Sequence, residues 1–340
     1  MISGKTIALP LFSLPLIFCI LFSLSVSAQN TQIKGFADIL TSYQNDKASF
    51  GFDEQDLFIT SELTDRITFL GESVFKYTPT SPTDFSVSIE RLIIKYNFQG
   101  NNNLILGKIH TPINYWNNAY HHGRVFYPTI GRPLLFAAEI IPLHTTGISI
   151  QGHDFGSLKF GYDVVIGNGL GSAPVADNDT RKSVTVAAHI KPLNKLYLGI
   201  SWYNDAVSKG ATVEGKIINW KVNQNLYTGS VAYFGNKFEL LTEGTLGINK
   251  TDTTGSKNTL AGYLYAGYKV SEKFIPYIRL DDLQYQGGEI YFTKNNTTSV
   301  IAGLRYQINY LAVVKLEFQH QKSELEGNTN IITAQFAVGF

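Results

Sequence analysis

Ser299-Val300-Ile301-Ala302-Gly303-Leu304-Arg305-Tyr306-Gln307-Ile308-Asn309 separates into two interleaved sets. Val300, Ala302, Leu304, Tyr306 and Ile308 alternate with Ser299, Gly303, Arg305, Gln307 and Asn309, and Ile301 is the one exception. Successive side chains of a strand point to opposite faces, so this segment is a β-strand with one apolar face and one small or polar face. The chain beyond it repeats the pattern. Val314, Leu316 and Phe318 alternate with Lys315, Glu317 and Gln319, and then Ile332, Ala334, Phe336, Val338 and Phe340 alternate with Thr333, Gln335 and Gly339.

Working back toward the N-terminus, extended segments separated by turn residues recur along the whole chain. They read as Thr31–Tyr43, Phe52–Leu63, Arg66–Thr78, Asp84–Phe98, Asn103–His110, Thr146–His153, Ser157–Ile166 and Ser183–Ile190. Eight more follow: Lys195–Tyr203, Asn225–Phe234, Lys237–Ile248, Asn258–Val270, Lys273–Leu283, Thr298–Asn309, Leu311–Gln321 and Asn330–Phe340. Thr212–Val222 is open to a second reading, as a hairpin within a loop. Connections such as Thr64-Asp65, Gly235-Asn236 and Ser271-Glu272 are short. The intervening ones, Gly167–Lys182, Asn204–Gln224, Lys250–Lys257 and Gln284–Thr297, are longer and polar. Short turns at one end and long loops at the other describe an all-β, antiparallel up-and-down barrel of the transmembrane kind, with sixteen strands. A soluble sandwich has the same period with its apolar face inward. The membrane reading is favoured by aromatics beside the short turns: Phe98, Phe155, Phe234, Phe238, Tyr268, Phe274 and Tyr310 sit where an interfacial girdle lies.

Composition agrees. The chain has 19 Tyr, 22 Phe and 30 Gly with only 16% charged residues, a bias toward strand and turn formers. At the N-terminus, Lys5 precedes an apolar stretch from Ile7 to Val26, which closes on Val26-Ser27-Ala28. That is the layout of a cleaved secretory signal, expected over 1–28, with the barrel over 29–340. The single cysteine, Cys19, lies inside the signal, so the mature chain is expected to hold no disulfide or thiolate metal site. Removing Lys5 takes Lys+Arg from 28 to 27 against 27 Asp+Glu, and this neutral balance gives no reason to expect a nucleic-acid partner. No later run is long and apolar enough for a helical membrane span.

The connection 111–145 is far longer than the others, and loops of such length in compact folds carry function. Its position makes it the third external loop, expected to fold into the lumen, with a surface lid as the other reading. Pro133–Ile141 reads as a short helix with Pro at its first position, packed on the inner wall. Just before it, Leu104-Ile105-Leu106-Gly107-Lys108-Ile109-His110-Thr111-Pro112 is similar to the strand-to-loop element of the phosphate-selective porin O/P-like family. The resemblance implies a water-filled porin set in outer-membrane lipid, typically a homotrimer. Passage through the inner membrane as a precursor is expected from the signal segment, and the terminal aromatic Phe340 resembles the signal that the outer-membrane assembly machinery reads in barrels of this class. Phosphate selectivity in that family rests on rows of basic residues that this neutral chain does not repeat.

The expected function is therefore passive diffusion of small hydrophilic solutes; the first alternative is a substrate-specific channel for phosphate or another anion or for a metal ion, and the second is an outer-membrane barrel enzyme. Lys108, His110, His121, His122, Arg124 and Arg132 lie in or beside the loop against Glu139 alone, and fixed positive charge in a narrow lumen concentrates anions. Arg279 and Arg305 are expected on the facing wall, sharing the lumen with Glu239, Glu243, Asp281 and Glu317. A weak anion preference is one expectation, and an unselective mixed-charge lumen is the other. Five histidines, His110, His121, His122, His144 and His153, cluster around the loop, yet none shows metal-ligand spacing, so no metal or other cofactor is expected. His320 and Ser323 match no catalytic pattern, and no enzymatic activity is expected. The strand pattern begins within a few residues of Gln29, so an energy-coupled transporter with an N-terminal plug domain is not expected.

Overall fold

The computed structural model describes residues 30–340, apart from 79–83, 121–122, 170–176, 178–179, 214–215 and 293–294. The expected signal segment, together with His121 and His122, lies outside the described residues. Among those described, sixteen antiparallel strands close a barrel. They are β1 (Asn30–Gln44), β2 (Lys47–Glu62), β3 (Ile67–Tyr77), β4 (Phe85–Gln99), β5 (Asn102–His110), β6 (His144–Phe155), β7 (Phe160–Gly167), β8 (Ser183–Leu193) and β9 (Leu196–Val207). After a small separate hairpin, β10 (Thr212–Val213) and β11 (Lys216–Ile217), come β12 (Val222–Phe234), β13 (Phe238–Thr251), β14 (Gly255–Tyr268), β15 (Phe274–Tyr285), β16 (Thr297–Asn309), β17 (Ala312–Ser323) and β18 (Gly327–Gly339). Each barrel strand pairs with its neighbours in sequence, β9 with β12 across the hairpin, and β1 with β18 to close the ring. Closure leaves no open sheet edge, which a strand structure in lipid requires.

The closing pair is finished by Phe340. Its backbone exchanges two hydrogen bonds of 2.9 Å with Gly35, and its ring lies where a Cβ on Gly35 would sit 2.5 Å from Phe340 Cζ. Only glycine fits there.

The alternation seen in the sequence maps onto the two faces of the wall. Val300, Leu304 and Tyr306 on β16, Leu316 and Phe318 on β17, and Ile332 and Phe336 on β18 are exposed on the outside. Their strand neighbours Arg305, Lys315, Glu317 and Gln335 are buried inside. Ile301 breaks the pattern for a physical reason: it faces the interior and packs in the hydrophobic cluster formed by the infolded loop, at 1% exposure. Phe98, Phe238, Tyr268, Phe274 and Tyr310 are exposed beside the short turns, as a girdle requires. Phe234 departs from that reading. It turns inward and meets Tyr120 of the long loop at 6.1 Å. No helix among the described residues is long and apolar enough to cross a membrane.

Two connections differ from expectation. Lys250–Lys257 is not a long loop, because β13 and β14 run into it and leave only residues 252–254 as a turn. Its threonines favour extended backbone, and Gly255, at φ 66, supplies the left-handed residue such a turn needs. β2 likewise starts at Lys47, five residues before Phe52, because Asn45 and Asp46, at φ 51 and 58, form a two-residue hairpin turn. If the outer rows face hydrocarbon, Leu316→Arg near the middle of β17 should cost about 2–4 kcal/mol. Reversible urea titration of the protein in lipid vesicles checks this, and an unchanged midpoint would place that row in water.

Candidate functional site: the loop-filled lumen

The loop leaves β5 at Thr111 and rejoins the wall at His144. Its two ends are tied together. Thr111 N donates to Leu143 O at 3.0 Å, the Thr111 and Thr145 hydroxyls lie 2.8 Å apart, and the buried Asn117 amide donates to both Thr111 O (2.8 Å) and Leu143 O (3.0 Å). From this neck the chain turns into the barrel. It forms one helical turn at Tyr115–Ala119, a 3-10 turn at Arg124–Phe126 and a second helical turn at Leu134–Ala137. The helix expected over Pro133–Ile141 is thus shorter. Pro133 caps it, and Glu139, left-handed at φ 55, ends it. An apolar side made of Ile113, Trp116, Tyr127, Leu135, Phe136 and Ile140 is buried against Leu226, Leu241, Tyr263, Tyr265, Tyr277 and Ile301 of the wall. Fully burying a large apolar side chain contributes about 1.5–3 kcal/mol, so this face alone accounts for why the loop lies inside.

Burial of the loop hides its backbone from water, and the wall supplies the missing partners. Glu243 on β13 accepts from the backbone N–H of Tyr115 and of Trp116 (3.1 Å), and also from Ser230 Oγ (2.6 Å) and Tyr263 Oη (2.5 Å). Asp281 on β15 accepts from Leu134 N at 3.0 Å, and Glu317 on β17 accepts from Ile130 N at 2.7 Å. The loop carbonyls are met by cations. Arg279 donates to Gly131 O (2.7 Å) and Arg132 O (3.3 Å), Arg305 to Pro128 O (3.2 Å), and Lys315 to Arg124 O (2.6 Å) and Thr129 O (3.1 Å).

The residues expected to set the lumen's charge are gathered here, but in pairs. Arg279 Nε donates to Asp281 at 2.9 Å, and Arg305 Nη2 contacts both Glu239 oxygens at 2.8 Å. Arg124 lies between Asp53 (2.6 Å), Glu54 (3.2 Å) and Asp38 (3.8 Å), carboxylates on β2 and β1. Burial opposes the Arg124 charge, but Glu54 and Asp53 outweigh it and hold the guanidinium more firmly protonated than usual. Arg132 hydrogen-bonds the side chain of Tyr127, whose buried phenol is raised above its ordinary value by desolvation and so stays neutral. Glu139 is exposed.

Lys108 and His110 lie apart from this group. Lys108 Nζ donates to Ile89 O at 2.6 Å, His110 Nε2 is 3.9 Å from Glu72, and the His110 ring is 5.3 Å from that of His144, itself 3.0 Å from Glu90. Among the described residues no group of three or more His, Cys, Asp or Glu is arranged to hold a metal ion. Lys315, fully buried at 0% exposure, is a further anchor that a count of charges in the loop and on the facing wall does not single out. The signal for it is present in the alternation, which puts Lys315 on the inner face between Val314 and Leu316.

No family model matches the sequence, and neither does any curated protein. Solved structures do match in fold. The anion-selective porin from Comamonas acidovorans superposes with a TM-score of 0.68 at 11% identity, over 92% of this chain and 100% of that one. The outer membrane channel DcaP of Acinetobacter baumannii gives 0.66 at 10%, over 93% and 99%. OmpT, an outer membrane protein of Vibrio cholerae in its trimer form, gives 0.65 at 12%, over 92% and 100%. At such identities the likeness is one of fold.

Because Glu243 meets two loop N–H groups at once, Glu243→Ala should loosen the loop at its first helical turn. Each lost bond to a charged group costs about 1.5–3 kcal/mol. The measurement is limited proteolysis of the folded barrel: cleavage within 111–143 should become several-fold faster, with the strands still protected.

Proposed function

We propose that this chain is an outer-membrane channel for the passive diffusion of small hydrophilic solutes, with no enzymatic activity. The observation that carries this reading is a sixteen-stranded barrel whose inner wall is charged and polar, and whose bore is crossed by the infolded loop. On β1 to β4, Gln32, Thr60, Thr68 and Lys95 border a cavity of about 380 Å³ that no residue of the loop lines. A barrel of this size encloses an aqueous channel unless something fills it, and here the filling is partial. The solved porin and channel with the same fold support the reading, and the trimeric OmpT structure supports assembly as a homotrimer. Export behind the segment 1–28, and recognition of Phe340 by the assembly machinery, belong to the same proposal.

Charge preference is expected to be weak. The three arginines best placed to attract anions, Arg124, Arg279 and Arg305, each share a site with a carboxylate. A paired charge projects little field down a water-filled bore. Two measurements test the proposal. Purified protein in planar bilayers should give stable ohmic conductance steps, and a correctly folded preparation without conductance rules the channel out. Replacing both Arg124 and Arg132 with Ala leaves Asp38, Asp53 and Glu54 uncompensated, so the reversal potential in a salt gradient should move toward cations. An unmoved potential would take those two residues out of the constriction.

A further inference from the structure

Along the edge of the cluster that holds the loop in place runs a line of rings that keep part of their surface exposed in the bore. Tyr197 on β9 stacks on His189 of β8, with centroids 5.0 Å apart and planes at 24°, and meets Tyr115 of the loop at 4.8 Å. Tyr115 meets Tyr120 at 5.9 Å, and Tyr120 meets Phe234 at 6.1 Å. On the other side Phe126 of the loop meets Phe36 of β1 at 5.4 Å, and Phe36 meets Phe58 of β2 at 5.4 Å. The Arg91 guanidinium lies 5.7 Å above the Phe58 ring. A cavity of about 170 Å³ joins the two halves, bordered by Tyr120, Phe126, Phe234, Glu239, Arg305 and Gln307. The arc thus runs from β8 across the loop to β4.

Tyr115, Tyr120, Tyr197 and Phe234 lie on the edge of the cluster that packs the loop, and each keeps part of its surface exposed. Trp116 and Tyr127 have no exposed surface, whereas Phe126 is 47% exposed. Exposed aromatic faces in a wet bore are costly unless a solute covers them. The wall is flattened to seat two of the rings: a Cβ on Gly199 would lie 2.6 Å from the Tyr197 ring, and one on Gly161 would lie 2.2 Å from the His189 ring.

The cavity has both parts of a recognition site, apolar ring faces and a few polar groups at the edge. Its polar edge is the two-pronged Arg305–Glu239 pair with Gln307 beside it, and Lys269 lies 3.3 Å from Glu239 on its other side. At about 170 Å³ it falls below the ~300–1,000 Å³ of pockets for drug-sized ligands, so it holds one ring at a time. A wholly apolar solute would strip water from that ion pair and return no hydrogen bond. A saturated ring with an apolar face and a hydroxyl rim satisfies both parts. We infer that the arc is a binding track for pyranose sugars, along which the sugar rings lie on Tyr197, Tyr120 and Phe126 while their hydroxyls meet Arg305 and Glu239.

This inference rests on the channel reading, and one experiment tells the two apart. Full-length protein is reconstituted in a planar bilayer, and maltotriose is added to one side, with sorbitol and N-acetyltryptophanamide in parallel runs. The expected result is a saturable block of current by maltotriose and none by either control. Phe126→Ala and Tyr197→Ala should each raise the half-blocking concentration about ten-fold. Phe126→Leu, which keeps the apolar bulk and loses the ring, should weaken the block as well, so a misfolded alanine variant does not decide the matter. Leu325→Ala, on an exposed turn outside the arc, should leave the block intact. Conductance without block by maltotriose overturns the sugar track and leaves the channel standing. Equal block by sorbitol, or block by the indole amide alone, overturns it too. Absence of conductance removes the channel and the track together.

Discussion

A chain folded into the middle of a barrel has to pair its backbone N–H and C=O groups away from bulk water, and the interior of this protein is organised around that requirement. An unpaired buried backbone group costs about as much as a lost hydrogen bond, and the segment 111–143 has many such groups but little helix. The wall answers with charged side chains. Glu243, Asp281 and Glu317 accept from loop N–H groups, and Arg279, Arg305 and Lys315 donate to loop carbonyls. Charged partners make the stronger hydrogen bonds, which suits a loop with too few of its own.

That use of charge has a consequence for the bore. Two unit charges about 4 Å apart interact by about 4 kcal/mol near a protein surface, whereas between exposed charges separated by more than about 10 Å salt removes most of the effect. Side chains bound to the loop therefore stabilise its position strongly and project little field into the rest of the bore. Arg279 and Arg305 illustrate this: each has one face on a carboxylate and another on a loop carbonyl. The formal charges counted along the sequence measure how firmly the loop is held more than how much field reaches the bore.

How far the sequence reveals the molecule follows from the range of the forces involved. Strand alternation is a local property, so all sixteen barrel strands and the infolding of the third long connection are legible in the order of residues alone, and so is the separate hairpin left open at Thr212–Val222. Local turn chemistry misleads at Lys250–Lys257, where threonines extend both strands. Phe234, beside a short turn, is claimed by the interior through Tyr120. The partners of Arg124 are not legible at all. Asp38, Asp53 and Glu54 stand some seventy or more residues earlier in the chain, and only the path of the loop across the bore brings them within reach. The same holds for the aromatic arc, whose rings come from the loop and from strands on both sides of the barrel.

The placement of Arg124 also ties the loop to the closing of the barrel. Lys315 on β17 donates to Gln335 on β18 at 3.1 Å, Gln335 donates across the closing strand pair to Asp38 on β1 at 2.7 Å, and Asp38 faces Arg124 at 3.8 Å. Lys315 completes the circuit by donating to Arg124 O at 2.6 Å. Lys315, Gln335 and Asp38 are buried and the Arg124 side chain is only 12% exposed, so a gap left in the ring would strand a charge or an amide in the interior, which is costlier than an apolar core would be. The ring is complete only when β1 has met β18 and the loop has reached the wall. The position of the loop and the closure of the cylinder are for that reason energetically coupled, and a barrel closed without its loop would leave Asp38 and Lys315 without their loop partners.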